Sequence, residues 1–260
     1  ALLKLITGGL RVGVSARLAK TAAAQLGGIE VNRVEEVWHG LSAPYEPLFA
    51  WLEGHGPQPE FEDPAPFRPA MLSHPIEEDD FAGLDPSEFM VEWKWDGIRV
   101  QAAAGLDEEG RRVARLFSRT GEDISAAFPE LLEAMEFDGA VDGELLIVRD
   151  GRVEPFNVLQ QRLNRKTVTP KMQGEFPPRI RLYDALSLDG EDLRPLTFAE
   201  RRARLEAFVA ERVDERIDLS PLVRFETWED VAAARADPAS WGAGADAEAV
   251  EGVMIKRAAS

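Results

Sequence analysis

Five prolines between residues 57 and 69 (Pro57, Pro59, Pro64, Pro66 and Pro69) divide this chain into two unlike regions. Proline fixes φ and lacks an amide donor, so neither a helix nor a central strand runs through such a stretch, and it reads as an extended linker. Before it, residues 1 to about 56 read as helical throughout. Ser15 is placed to cap a helix running to Leu26, with Gly27-Gly28 as its stop. Asn32 followed by Glu35 resembles a capping-box start for a helix through Trp38, and Tyr45 to Leu52 reads as a short helix ending at Gly54. After the linker the pattern changes to strands interleaved with helices. Strands are expected at Phe89–Trp93, Gly97–Ala103, Arg112–Phe117, Ala140–Val148, Ile180–Ser187, Leu222–Glu226 and Gly252–Lys256. Helices are expected at Ala126–Met135, Asn157–Leu163, Phe198–Val209 and Trp228–Ala236. Hairpin-type neighbours and segregated helices favour an α+β arrangement with antiparallel sheets over a doubly wound parallel one. The division is 1–66, helical segment plus linker, and 67–260, the sheet-containing domain.

Composition narrows the functions available. There are no cysteines, which excludes disulfides and thiolate metal sites, and only three histidines, His39, His55 and His74. The formal net charge is −17, so the overall field repels nucleic acid and any grip on it must come from local basic patches. Lys4, Arg11, Arg17 and Lys20, set against Glu30 alone, form one such patch. Runs such as Glu77-Glu78-Asp79-Asp80 and Asp107-Glu108-Glu109 read as solvated loops. No apolar run approaches membrane-spanning length. The chain begins without methionine, inside what reads as a helix, and is expected to be a piece of a longer protein.

The chemistry is concentrated in a few motifs. In Glu92-Trp93-Lys94-Trp95-Asp96-Gly97-Ile98-Arg99 a lysine stands just before an Asp-Gly pair. An exposed lysine is a poor nucleophile, with about one molecule in a few thousand unprotonated at neutral pH. Packing between tryptophans and a nearby Arg99 would disfavour the ammonium form and activate the amine. The Asp-Gly pair suits a tight turn folding the Lys94 strand back into the Arg99 strand, and a plain hairpin with a surface lysine is the alternative. Val141-Asp142-Gly143-Glu144 reads as a second Asp-Gly turn opening an apolar strand. It places Glu144 at a site rim, where a carboxylate can bind ribose hydroxyls or a divalent metal; another hairpin is the alternative. Arg181-Leu182-Tyr183-Asp184 places Tyr183 on a buried strand, with a core tyrosine as the plain alternative. Glu251-Gly252-Val253-Met254-Ile255-Lys256 reads as a strand with charged ends, and Ser118-Arg119-Thr120-Gly121-Glu122-Asp123 offers a guanidinium suited to phosphate oxygens. Gly8-Gly9-Leu10-Arg11-Val12-Gly13-Val14 is either a helix–helix turn or a glycine-rich loop presenting amides to a phosphate ahead of Ser15.

Taken in this order and spacing, these motifs resemble those of an ATP-dependent DNA ligase of bacterial type. Lys94-x-Asp96-Gly97-x-Arg99 resembles the nucleophile motif of covalent nucleotidyltransferases. Phe67–Leu72 resembles the segment leading into the ligase nucleotidyltransferase domain, Phe156–Arg162 a helix between its motifs, and Gly8–Val14 a loop of the DNA-binding domain. The resemblance implies an ATP-grasp-like ligase adenylation domain after the end of a helical DNA-binding domain. It implies that Lys94 attacks the α-phosphate of ATP, that AMP passes to a 5′-phosphate at a nick in double-stranded DNA, and that the nick is then sealed. It assigns Glu144 and Glu251 to Mg²⁺, with Glu144 also at ribose. Arg99 and Arg119 would face phosphate or ribose, Lys256 the α-phosphate, Tyr183 the adenine face and Glu92 the adenine edge. Arg11, Gly13 and Ser15 would lie at DNA. A monomer in the bacterial cytosol, at the nucleoid, is the implied setting, with no membrane contact. The family's next lysine motif and its oligonucleotide-binding barrel are not present after Ser260, so nick sealing by this chain alone is expected to be weak or absent. An mRNA-capping-type guanylyltransferase shares the lysine motif, but the helical N-terminus and Ser118–Asp123 favour a ligase. An RNA ligase, an NAD-dependent ligase and a non-catalytic nicked-DNA-binding module are the other readings.

Overall fold

A computed structural model describes residues 16–38, 41, 43–59, 63–163, 165 and 167–260. Arg11, Gly13 and Ser15, and with them the glycine-rich loop, lie outside the described residues. The chain divides into two compact units, residues 1–63 and 64–260.

The described part of the first unit holds three helices: α1 (Ala16–Gly27), α2 (Val31–Trp38) and α3 (Glu46–Leu52). Ala24, Val34, Val37, Leu48 and Leu52 form their shared core. Helix α2 starts one residue before Asn32, which therefore sits in its first turn rather than at the cap.

The described residues of the second unit form ten strands: β1 (Phe89–Trp95), β2 (Ile98–Leu106), β3 (Arg112–Ser118), β4 (Gly139–Arg149), β5 (Arg152–Val153), β6 (Pro178–Leu188), β7 (Glu191–Asp192), β8 (Ile217–Leu219), β9 (Leu222–Val223) and β10 (Val250–Arg257). They form two sheets. One has three strands in the order β10-β1-β9; the other has seven, along β3-β2-β4-β6-β7, with β5 on β4 and β8 on β6. Every pairing is antiparallel except β6 with β8. The helices are α4 (Pro129–Ala134), α5 (Phe156–Leu159), α6 (Pro170–Glu175), α7 (Phe198–Ala210) and α8 (Trp228–Ala236). The α+β architecture with antiparallel sheets and flanking helices is thus as expected.

Several elements are shorter than the sequence suggests. Pro129 stands at the start of α4, so the expected Ala126–Met135 helix becomes a separate 3₁₀ turn at Ser125–Ala127 and a short α-helix. The Asn157–Leu163 helix closes after one turn, and the Leu222–Glu226 strand pairs over two residues only. Helix α7 matches expectation because it is locally specified: Thr197 and Glu200 form a capping box.

The larger core lies beneath the seven-stranded sheet, where Val100, Leu116, Phe128, Leu131, Leu145, Leu182 and Leu205 are fully buried. A second core lies against the three-stranded sheet and includes Val91, Trp93, Trp95, Val231 and Ala234. Burying each such large apolar side chain contributes about 1.5–3 kcal/mol. Arg162 is also fully buried, donating to Glu130 and to the carbonyls of Phe176 and Ala127.

Candidate active site

The Asp96-Gly97 pair does not make the expected hairpin. β1 pairs with β10 and β9, whereas β2 pairs with β3 and β4, so the pair carries the chain from one sheet to the other. Asp96 N donates to the Ala249 carbonyl at 2.8 Å, tying the crossover to the start of β10. Glycine is required at 97 by close approach: a Cβ would lie 2.6 Å from the Leu145 carbonyl oxygen and 2.8 Å from Glu144 Cγ. Asp142-Gly143 is likewise no turn. Both residues lie within β4, and a Cβ on Gly143 would meet Arg181 O at 2.8 Å.

Lys94 and Glu92 occupy alternate positions of β1 and share a face, while Trp93 and Trp95 point to the opposite face and are buried in the smaller core. The expected packing of Lys94 between the two rings is therefore not built. The Lys94 side chain is instead about half exposed, at 48%, and its ammonium donates to Glu251 Oε1.

A β-bulge makes this contact. Lys94 is paired with Gly252 and Trp95 with Val250, so Glu251 is the extra residue on β10. A second bulge acts in the other sheet. Asp142 pairs with Asp184 and Gly143 with Leu182, leaving Tyr183 as the extra residue on β6. Bulges break the strict alternation of side chains and re-aim one of them. Here each sheet uses one to displace a residue that the motifs single out.

Around these two residues the pocket is charged and tightly paired. Arg99 Nη2 lies 2.5 Å from Asp142 Oδ2, and its Nη1 donates to the Met71 carbonyl at 2.8 Å. Asp142 also accepts from Gln101 Nε2, which in turn grips the backbone of Arg68. Arg99 and Lys256 both lie over the Tyr183 ring, at 5.9 and 5.1 Å from its centroid. Lys256 Nζ is 2.5 Å from Glu92 Oε2, and Arg202 holds the other oxygen of Glu92. Arg119 is exposed on the turn after β3. The register pairs Ser118 with Val100, so Arg119 leaves β3 at the Arg99 end of the sheet.

Burial sets the electrostatics. It raises the Glu92 and Asp142 carboxyls above their ordinary range despite the cations beside them. It raises the Tyr183 hydroxyl well above 10, and Glu144 adds to that effect. Glu144 itself is pushed up to about 8, first by burial, against the pull of Arg99, with Glu251 adding to the rise. Among the described residues no side chain donates a hydrogen bond to Glu144. Glu251 lies close enough to Glu144 to raise it, and carboxylate oxygens are the donor type that a hard divalent cation takes. Mg²⁺ commonly takes one or two protein carboxylates and completes its shell with phosphate oxygens and water. No set of three His, Cys, Asp or Glu side chains that could enclose a metal is found among the described residues.

The structure thus brings Glu92, Lys94, Arg99, Glu144, Tyr183, Glu251 and Lys256 into one neighbourhood. Motif reading missed the residues that hold them, Asp142, Gln101 and Arg202. Asp142 stands inside the Val141–Glu144 motif but is given no role there, and nothing local marks Gln101 and Arg202, whose partners Asp142 and Glu92 lie far away in sequence.

The fold is that of a ligase nucleotidyltransferase domain. The crystal structure of the ligase domain from M. tuberculosis LigD superimposes with a TM-score of 0.50 at 25% identity, covering 69% of this chain and 52% of that one. The family model for the ATP dependent DNA ligase domain matches residues 70–260, and the chain belongs to that family. Similar proteins include DNA ligase 1 of Korarchaeum cryptofilum, 31% identical over 80% of this chain. A probable DNA ligase of Koribacter versatilis is 33% identical over 85% of this chain. The chain spans 38% of the length of each of these relatives.

Proposed function

We propose that this chain is the adenylation unit of an ATP-dependent DNA ligase, with Lys94 as the nucleophile. Lys94 Nζ loses its proton and attacks the α-phosphorus of ATP; an N–P bond forms, the bond to pyrophosphate breaks, and AMP remains on the lysine. Glu251, in contact with Lys94, is the nearest carboxylate to receive that proton. Tyr183 offers its ring to the adenine and Glu92 an acceptor at the base edge, while Arg99, Arg119 and Lys256 supply positive charge toward ribose and phosphate. Glu144 and Glu251 would hold Mg²⁺, which neutralises phosphate charge when bound. In the whole protein AMP would pass to the 5′-phosphate of a DNA nick. The implied setting is a monomer in the bacterial cytosol. Family membership favours this reading over a capping-type guanylyltransferase.

The observation that carries the proposal is the pair of bulges that deliver Glu251 to Lys94 and Tyr183 beneath Arg99 and Lys256. Its test is the intact mass of the chain after incubation with ATP and Mg²⁺, beside calorimetric ATP binding. A covalent AMP adduct is expected, with GTP and NAD failing to compete. Absence of both the adduct and ATP binding would overturn the reading.

A further inference from the structure

Arg202 on α7 is buried and donates to three acceptors. Its Nη1 reaches Glu92 Oε1, its Nε reaches Glu206 Oε1 and its Nη2 reaches the Ser220 carbonyl, each at 2.8 Å. Three anchors in the plane of one guanidinium fix it in place. The other cation on Glu92, Lys256, is held more loosely. Its side chain is 20% exposed, and among the described residues, apart from Glu92 Oε2, its Nζ meets only the Tyr183 carbonyl, at 3.4 Å, and the faces of Tyr183 and Phe198. One cation on Glu92 is therefore bolted down and the other is a flexible ammonium at the pocket.

We infer that Arg202 is a positioning residue that keeps Glu92 charge-paired, so that Lys256 can leave it for a nucleotide phosphate. The inference rests on the nucleotide-binding reading above and adds the step by which the pocket frees its lysine. A carboxylate as buried as Glu92 is strongly unfavourable once stripped of cations. With Arg202 in place, departure of Lys256 costs Glu92 one partner of two, and the phosphate offers Lys256 a replacement anion. Without Arg202, Lys256 is the sole counter-charge and stays on Glu92.

The test is calorimetry of ATP and of adenosine without divalent metal on the 260-residue chain, with folding followed by circular dichroism. Wild type is expected to bind ATP more tightly than adenosine. Arg202→Met is expected to shrink that preference by roughly tenfold, the scale of one charge-assisted contact. Glu92→Gln with Arg202→Met restores it, because a neutral glutamine no longer retains Lys256. A mere staple between α7 and β1 would weaken both ligands alike, and the second substitution would not help. An unchanged preference in Arg202→Met, or no recovery in the double variant, overturns the inference. Should Arg202→Met not fold, Glu92→Gln alone decides: a larger ATP preference supports the inference and a smaller one overturns it. Wild type binding ATP and adenosine equally would overturn this inference while leaving the nucleotide pocket standing; binding neither would overturn both.

Discussion

Two ion pairs of the pocket, one on each sheet, are built in opposite ways. On the seven-stranded sheet Arg99 is clamped by Asp142 and the Met71 carbonyl, with Gln101 closing the network around a carboxylate whose side chain is 1% exposed. On the three-stranded sheet Lys94 and Glu251 touch while each remains about half exposed, at 48% and 47%. A buried pair is expensive to break by removing one partner, whereas an exposed pair contributes 0–1 kcal/mol. The first arrangement suits a group that must hold its place, and the second a group that must change partners during reaction.

That contrast is open to direct attack. The largest expected effect is on activity: Lys94→Ala abolishes the AMP adduct in the mass assay. Next, Asp142→Ala strands the Arg99 guanidinium and lowers unfolding free energy by about 3 kcal/mol in urea titration. A loss below about 1 kcal/mol would show that the clamp is no stronger than a surface pair. Gly97→Ala forces a methyl against Leu145 and Glu144 at the sheet crossover, and should destabilise by about 1–3 kcal/mol in the same titration. Glu251→Gln, which removes only an exposed charge, should change stability by less than about 1 kcal/mol.

The smallest expected effect is on pH dependence. Asp230 completes the capping box of α8, whose N-cap is Thr227, and is held below the usual carboxylate range by the amides of Glu226 and Thr227. A depressed folded pKa gives stability that is present above the unfolded value and lost as pH falls through the folded one. Asp230→Asn keeps an acceptor but removes the titration, so thermal melts should fall less steeply on acidification than in wild type.

The Asp-Gly pairs show how far sequence could be read. At Asp189-Gly190 the dipeptide makes a tight β6–β7 turn, with φ of 50° and 79°. At Asp96-Gly97 it switches sheets, and at Asp142-Gly143 it lies inside a strand. The local signal is the same at these three of the chain's five Asp-Gly pairs, and the outcome depends on what packs against the glycine. Where most strands lie was legible because they follow period and turn signals, whereas the order in which they pair was not: the expected Lys94–Arg99 hairpin became a crossover between sheets. Nor were the two bulges legible, since a bulge exists only relative to a partner strand's register. Arg201 and Arg202 go unread within the expected Phe198–Val209 helix, and both side chains are buried on distant carboxylates, Asp184 and Glu92.

The most direct test of the account measures adduct formation and unfolding free energy side by side in Lys94→Ala and Asp142→Ala. The account predicts that Lys94→Ala loses the adduct at nearly wild-type stability, whereas Asp142→Ala loses stability. A Lys94→Ala chain that still carries AMP, or that loses as much stability as Asp142→Ala, would contradict it.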